Sequence, residues 1–350
     1  MRVRSIVGTI SGVAIAIAFS GCSMIDEDQS DCGKQAEIDY ELQLVTNMST
    51  ELETVLNTET DFGISQVLRD YLGNIFTDYA HDVDLSFYDT QGDSLRLQHD
   101  QHIMDANQAS YTLNLPMRKY MHLATANVLR DNTVSLESDD LCHWSKLQQS
   151  AGDTVSSHTT GFFTARQPME VLEGVDQSFN VRLFMANCAA ALVLDPKGHD
   201  ISGIKVYTTG FATGFNICDS AYTFPSKSPV VRTVPLADKG GKMAFCSVNF
   251  PSREPRNTRT IIETTEPFIS QEGEESLWEV RVYVPNTSPT RAETTTTETV
   301  LSLRTPLRGG ELKVITGYVG DDGAIRTFTP GVGVSITLDW KPGSEYHSEL

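Results

Sequence analysis

Along most of this chain, apolar and polar positions alternate with a period of two. From Ala36 to Thr46, Ile38, Tyr40, Leu42 and Leu44 fall on one face and Glu37, Asp39, Glu41 and Gln43 on the other, as in a half-buried strand. Between Asp61 and Ala80 the period changes. Ile64, Val67, Leu68, Tyr71, Leu72, Ile75 and Phe76 recur three and four residues apart behind Asp61, an N-cap residue type, and this predicts one amphipathic helix. Alternation returns at Val83, Leu85 and Phe87, turns through Asp89-Thr90-Gln91-Gly92-Asp93 and comes back at Leu95 and Leu97, a hairpin pattern. A further pair of strands brackets Leu115-Pro116-Met117-Arg118-Lys119-Tyr120. Pro116 must sit at its corner, because proline has no N–H to give to a ladder.

Asn132 to Ser157 is polar and acidic and predicts a loop, with one helical turn around Trp144. Strands resume from Gly161 to Val171, and a domain boundary is placed near Asp176, before the long apolar run from Phe179 to Leu194. The second half alternates throughout: Ile204 and Val206; Trp278 to Val284; Leu301 and Leu303; Leu312 to Val319; Ile325 to Phe328; and a last strand from Val332 to Trp340. Many short strands separated by turn signals predict β-sandwich architecture, with 33–175 as a first domain and 176–350 as a second. The expected fold is therefore all-β, with one short helix in the first domain.

The start of the chain follows other rules. Arg2 and Arg4 precede an apolar run from Ile6 to Phe19 that closes in Ser20-Gly21-Cys22. A run of about fourteen residues is too short to cross a hydrocarbon core of roughly 30 Å, so it reads as the apolar part of an export signal over 1–21. Ser20-Gly21-Cys22 resembles the lipobox of bacterial lipoproteins, whose cysteine becomes the acylated, palmitate-bearing first residue. Residues 22–32 then form a lipidated spacer with carboxylates at Asp26, Glu27, Asp28 and Asp31, a composition that stays solvated.

Charge and chemistry narrow the function. The net charge is −19 and becomes −21 once Arg2 and Arg4 leave with the signal. Nucleic acid is not expected as a partner, since binding it needs clustered cations. With Cys22 assigned to lipid, Cys32, Cys142, Cys188, Cys218 and Cys246 remain, without CxxC spacing, so zinc is not expected. Export permits disulfides; Cys32 with Cys142 and Cys218 with Cys246 are conceivable pairs, although connectivity cannot be read from sequence. His99-Asp100-Gln101-His102 offers two imidazoles but no third ligand, and GxSxG, P-loop and HExxH motifs are absent. Cys188, inside an apolar strand, reads as a small buried hydrophobe. No catalysis, metal or cofactor is expected.

In order along the chain, the lipobox cysteine, the spacer ending in Asp31-Cys32, the strand Ile38 to Leu44, the hairpin strand Val83-Asp84-Leu85-Ser86-Phe87-Tyr88-Asp89, the Leu115 to Tyr120 corner and the terminal Ile336-Thr337-Leu338-Asp339-Trp340-Lys341-Pro342-Gly343 resemble the FimB-type anchoring subunits of Bacteroidetes fimbriae. At the corner the family commonly has a Gly where this chain has Arg118. The resemblance implies two transthyretin-like β-sandwich domains and a surface-exposed lipoprotein held in the outer membrane by its lipid. It also implies a role at the base of a pilus, joined to a fimbrillin shaft subunit by strand addition. Shaft pilins of such families lose an N-terminal strand to an arginine-specific protease. This chain has no Lys or Arg between Lys34 and Arg69, so the strand Ile38 to Leu44 is expected to remain, fill its sandwich and close a sheet edge. Asp153-Thr154-Val155 matches the O-glycosylation acceptor pattern of exported Bacteroidetes proteins, which marks Thr154 in a polar loop. The alternative function is a surface glycan-binding or nutrient-capture lipoprotein, although Trp144, Trp278 and Trp340 are scattered and suggest no aromatic platform.

Overall fold

A computed structural model describes residues 35–45, 55–57, 62–77, 79–91, 95–103, 110–129, 131–200, 203–254, 276–286 and 295–337. The signal, Cys22, Cys32, the Asp61 N-cap and the end of the terminal strand at Trp340 lie outside these residues. The fold is all-β with one helix longer than a single turn among the described residues. Seven strands form the first sheet: β1 (Gln35–Val45), β2 (Asp82–Asp89), β3 (Arg96–Ile103), β4 (Ser110–Pro116), β5 (Lys119–Ala126), β9 (Phe163–Glu170) and β10 (Gln177–Met185). Their order is β3-β2-β5-β9-β10-β1-β4.

This sheet folds over on itself. Strand β9 pairs with β5 from Lys119↔Glu170 to Ala126↔Phe163, but with β10 only at Phe184↔Thr164 and Met185↔Phe163. In a flat sheet β1 and β5 would stand three strand spacings apart, about 14 Å. Instead the Tyr40 hydroxyl on β1 lies 2.5 Å from His122 Nε2 on β5. The arms β3-β2-β5-β9 and β10-β1-β4 therefore face each other as a sandwich closed along one edge, with Ile38, Tyr40, Leu42, Leu85, Phe87 and Val181 in the shared core.

The predicted helix spans Phe62–Ile75 (α1) and buries Ile64, Leu68, Leu72 and Ile75. It stops before the expected Ala80 because the Gly161 N–H takes the Ile75 carbonyl at 2.9 Å. That approach requires glycine, since a Cβ on residue 161 would sit 2.9 Å from Phe76 Cδ1. At the β4–β5 corner Arg118 is absent from the positive-φ residues, so glycine is not required there, and its guanidinium pairs with Asp89 of β2 at 2.8 Å.

The segment expected as a loop from Asn132 to Ser157 instead contains β6 (Val134–Glu137), β7 (Lys146–Gln149) and β8 (Thr154–Ser156). Strands β6 and β7 join β13 (Gly214–Asn216) and β14 (Ala221–Thr223) in a four-stranded sheet, β14-β13-β7-β6. Leu147 and Phe215 of this sheet share a cluster with Tyr88 and Leu123, which face away from the first core. Every residue of β2 is buried for that reason: one face lines the sandwich and the other lies under the four-stranded sheet.

The apolar run from Phe179 to Leu194 belongs to two strands in different sheets. Strand β10 ends at Met185 and β11 (Cys188–Asp195) begins after Asn187, so the chain changes sheets at Ala186-Asn187 rather than at Asp176. Asn187 holds this crossing. Its Oδ1 accepts from Phe162 N at 3.2 Å, its Nδ2 donates to the Thr160 carbonyl at 2.9 Å, and its own carbonyl accepts from Gly310 N at 2.9 Å.

Strand β11 is central in a five-stranded sheet with β16 (Val234–Ala237), β17 (Met243–Asn249), β20 (Leu312–Val319) and β21 (Ile325–Thr327). Ala189, Ala191 and Val193 join the first core, and Cys188, Ala190, Leu192 and Leu194 the second. A strand buried on both faces reads as a continuous apolar run. The second core lies against a six-stranded sheet, β22-β19-β18-β12-β15-β8. It contains β12 (Lys205–Thr209), β15 (Val230–Arg232), β18 (Trp278–Asn286), β19 (Thr295–Leu303) and β22 (Val332–Thr337).

Both conceived disulfide pairings are corrected. Cys142 is bonded to Cys218, joining the one-turn helix Cys142–Trp144 to the segment between β13 and β14, and Cys246 is a buried free thiol. Thr154 also lies not in a loop but on β8, an edge strand paired in parallel with β15 through Val230↔Thr154.

Candidate assembly interface

Strand β1 is paired along its whole length, and on both sides over Ile38–Glu41. It runs parallel to β10 from Ile38↔Gln177 to Val45↔Phe184 and antiparallel to β4 from Gln35↔Pro116 to Glu41↔Ser110. It therefore does not form the sheet edge: it closes β10 and in turn carries β4, which is the outermost strand. Ile38, Tyr40 and Leu42 enter the core while Glu37, Asp39 and Glu41 face outward.

The polar contact inside this core has a defined proton arrangement. His122 Nδ1 lies 3.0 Å from the Ser86 carbonyl, which can only accept, so Nδ1 carries the proton and Nε2 accepts from the Tyr40 hydroxyl. Burial holds the His122 pKa down to about 4, against a smaller opposing effect of the Ser86 carbonyl. The imidazole is neutral at ordinary pH, as this arrangement needs. Its ring stacks on Phe87 with centroids 4.3 Å apart. Tyr40 and His122 are 82 residues apart, and no sequence signal connects them.

The expected terminal strand is present as β22, Val332–Thr337, at the edge of the six-stranded sheet. It pairs with β19 through Leu301↔Val334 and Thr299↔Ile336. Directly opposed residues share a face, so Val334 and Ile336 lie on the core side with Leu301 and Thr299. Both are nevertheless exposed, at 44% and 41%; β21, the last strand of the facing sheet, has only three residues. Among the described residues no strand pairs with the outer edge of β22. An apolar row beside an open backbone edge suits strand addition, with main-chain bonds supplying affinity and side-chain sites selectivity.

Other sites singled out in the sequence do not converge on chemistry. His99 Nε2 meets the buried Asp84 at 2.6 Å, and Gln101 meets the same carboxylate oxygen at 2.8 Å. Among the described residues no three His, Cys, Asp or Glu side chains are placed to hold a metal. Burial raises the Cys188 thiol well above its ordinary pKa and the Cys246 thiol to about 12, so neither is a ready thiolate. No described helix is long and apolar enough to cross a membrane.

No protein-family model and no curated protein matches the chain. Among solved structures it is similar to a candidate adhesin from Bacteroides ovatus, at 10% identity and TM-score 0.49 over 89% of this chain and 97% of that one. It is also similar to a fimbrial anchor protein from Porphyromonas gingivalis, at 8% identity and TM-score 0.45 over 87% and 99%. A third similarity is to a fimbrial assembly protein from Parabacteroides distasonis, at 10% identity and TM-score 0.38 over 87% and 99%.

Proposed function

We propose that this chain is a surface-exposed outer-membrane lipoprotein that anchors and terminates a fimbrium, with no catalytic role. The observation that carries this reading is β1. A subunit that polymerises by strand exchange needs an empty groove for its neighbour's strand, whereas here the position between β10 and β4 is filled by the chain's own strand. No Lys or Arg between Lys34 and Arg69 invites cleavage behind it. Such a subunit joins a fibre through one surface only and so ends it.

On this reading Cys22 carries the lipid. The spacer from Ser23 to Asp31, at most about 3.4 Å per residue, gives a reach of roughly 30 Å from the headgroups. The open edge of β22, with Val334 and Ile336, receives a strand from the fimbrillin shaft. The two sandwiches are then the two domains of the anchor, one carrying β1 and the other β22.

Deletion of the gene and Cys22→Ala test the proposal. Each is expected to release fimbriae into the medium, and the deletion is also expected to lengthen them. Fibres that stay cell-bound and of normal length in the deletion strain overturn it.

A further inference from the structure

A cavity of about 440 Å³ opens where the end of α1 meets the segments that precede β2, β6 and β9. We infer that it is a binding site for a primary ammonium group, held by the Asp131 carboxylate, the Asn74 amide oxygen and the ring of Tyr79. Its lining includes no residue of β1 or β22, and the inference does not depend on the anchoring role.

The walls of the cavity come from four separate segments, and buried side chains tie them together. Asp82 Oδ1 accepts from Val128 N at 2.9 Å and Leu129 N at 3.0 Å, and its Oδ2 accepts from His81 Nδ1 at 2.8 Å. Asn127, also buried, accepts from His81 N at 2.9 Å and donates to the Gly161 carbonyl at 3.2 Å. The Gly161 N–H in turn holds the end of α1 at Ile75. A site assembled before its ligand arrives loses less affinity to ordering.

The protons of the lining groups are already committed within the protein. Thr77 Oγ1 donates to the Tyr79 carbonyl at 2.9 Å, Thr159 Oγ1 donates to Asp131 Oδ2, and Thr160 Oγ1 lies 3.4 Å from His81 Nε2. Because the Asp82 carboxylate can only accept, His81 Nδ1 carries a proton, and Nε2 of the neutral ring is an acceptor. What these groups leave for a ligand is lone pairs. Asp131 adds a charge. Its Oδ1 accepts from Thr133 N, Thr133 Oγ1 and Val134 N, which fixes the carboxylate. Burial pushes the Asp131 pKa up, but the bonds from Thr133, Thr159 and Val134 outweigh it and hold the carboxyl below its ordinary value. No described Lys or Arg lines the cavity, and Asp82 offsets any charge on His81, so Asp131 sets the sign of the site. A primary ammonium has three donors and no acceptor, the complement of this lining. Asn74, exposed at the end of α1, supplies an amide oxygen, and Tyr79, 45% exposed, supplies a ring face that attracts a cation. One carboxylate is little charge for calcium, whose affinity rises with the number of charged ligands.

Saturation-transfer NMR on the purified full chain tests this near neutral pH, in about 0.15 M salt to screen the general negative charge. The probes are Nα-acetyl-lysine methylamide, its Nε-acetylated neutral analogue, and cadaverine. The two amines are expected to bind and the acetylated analogue to bind at least about tenfold more weakly, the loss of a charge-assisted hydrogen bond. Tighter binding of the lysine analogue than of cadaverine supports an ammonium carried by a polypeptide, and the reverse supports a free amine. Asp131→Asn keeps an acceptor for Thr133 and Val134 and is expected to weaken the amines about tenfold. At exposed Asn74, Asn74→Asp should strengthen them about threefold and Asn74→Lys should weaken them by at least as much. Equal binding of the acetylated analogue, displacement of the amines by calcium or methyl glucoside at lower concentration, or unchanged binding in both Asn74 variants overturns the inference. The Asn74 variants decide it even if Asp131→Asn fails to fold.

Discussion

Replacing Tyr40 with Phe removes one oxygen from the contact that joins the two arms of the first sandwich and leaves the ring volume nearly unchanged. The His122 Nε2 lone pair, fully buried and 2.5 Å from the lost hydroxyl, is then without a donor. An unmet buried polar atom costs about 1–3 kcal/mol, so Tyr40→Phe should unfold at correspondingly lower urea, measured well above pH 6.5. The pH dependence supplies a second reading. His122 has a pKa of about 4 in the folded protein against 6.5 for a free imidazole, because burial disfavours its charged form. The unfolded chain therefore binds the proton first. The contribution of neutral His122 is complete above pH 6.5 and is lost as pH falls towards 4, by about 3 kcal/mol. In Tyr40→Phe no hydroxyl donates to Nε2, protonation opposes less, and the loss on acidification should be smaller than in the wild type. His158, also held down to about 4 by burial, affects both proteins alike and cancels in the comparison. A Tyr40→Phe protein within about 0.5 kcal/mol of wild type, with the same acid dependence, refutes the assigned tautomer and the role of this contact.

Three further outcomes are expected. Cys142→Ala should destabilise the protein by up to about 4 kcal/mol, since the bond closes a loop with a sequence separation of 76 residues; urea unfolding with and without reductant checks this, and a reductant-insensitive wild type contradicts it. Ile336→Lys, at a 41% exposed edge position, should leave thermal stability within about 0.5 kcal/mol while lowering shaft retention in a co-purification assay; full retention removes β22 from the interface. Mass spectrometry of surface-extracted protein should find no mature N-terminus between Gln35 and Asp70, and finding one there refutes the retained strand.

Periodicity exposed the elements whose burial is one-sided. Strand β1 has a wet face and a dry face, so its alternation is complete, and α1 shows its stripe because Ile64, Leu68, Leu72 and Ile75 lie on the one face that is buried. Where burial is two-sided, the signal changed character. Strand β11 forms one apolar run with β10, and the crossing at Asn187, marked by hydrogen bonds to residues distant in sequence, has no pattern to announce it. The four-stranded sheet was missed because β6 and β7 have four residues each, among them Ser135, Glu137, Lys146 and Gln148 pointing outward. Pairings between distant segments were not legible at all: Cys142 with Cys218, Tyr40 with His122, and β8 with β15. For the proposed interface, β22 could be read as a strand, but its exposure depends on how short β21 is, which only the assembled sheets reveal.

The placement of β1 also has a mechanical consequence. If the chain is tethered ahead of Gln35 and loaded from its far end, tension along the strand axis acts on two staggered ladders, the antiparallel one to β4 over Gln35–Glu41 and the parallel one to β10 over Ile38–Val45, which overlap at Ile38–Glu41. An edge strand can be peeled away one hydrogen bond at a time. A strand gripped on both sides must slide past both neighbours at once and drag Ile38, Tyr40 and Leu42 through a close-packed core. The strand nearest the tether is thus set in shear, the direction in which a β-ladder yields last.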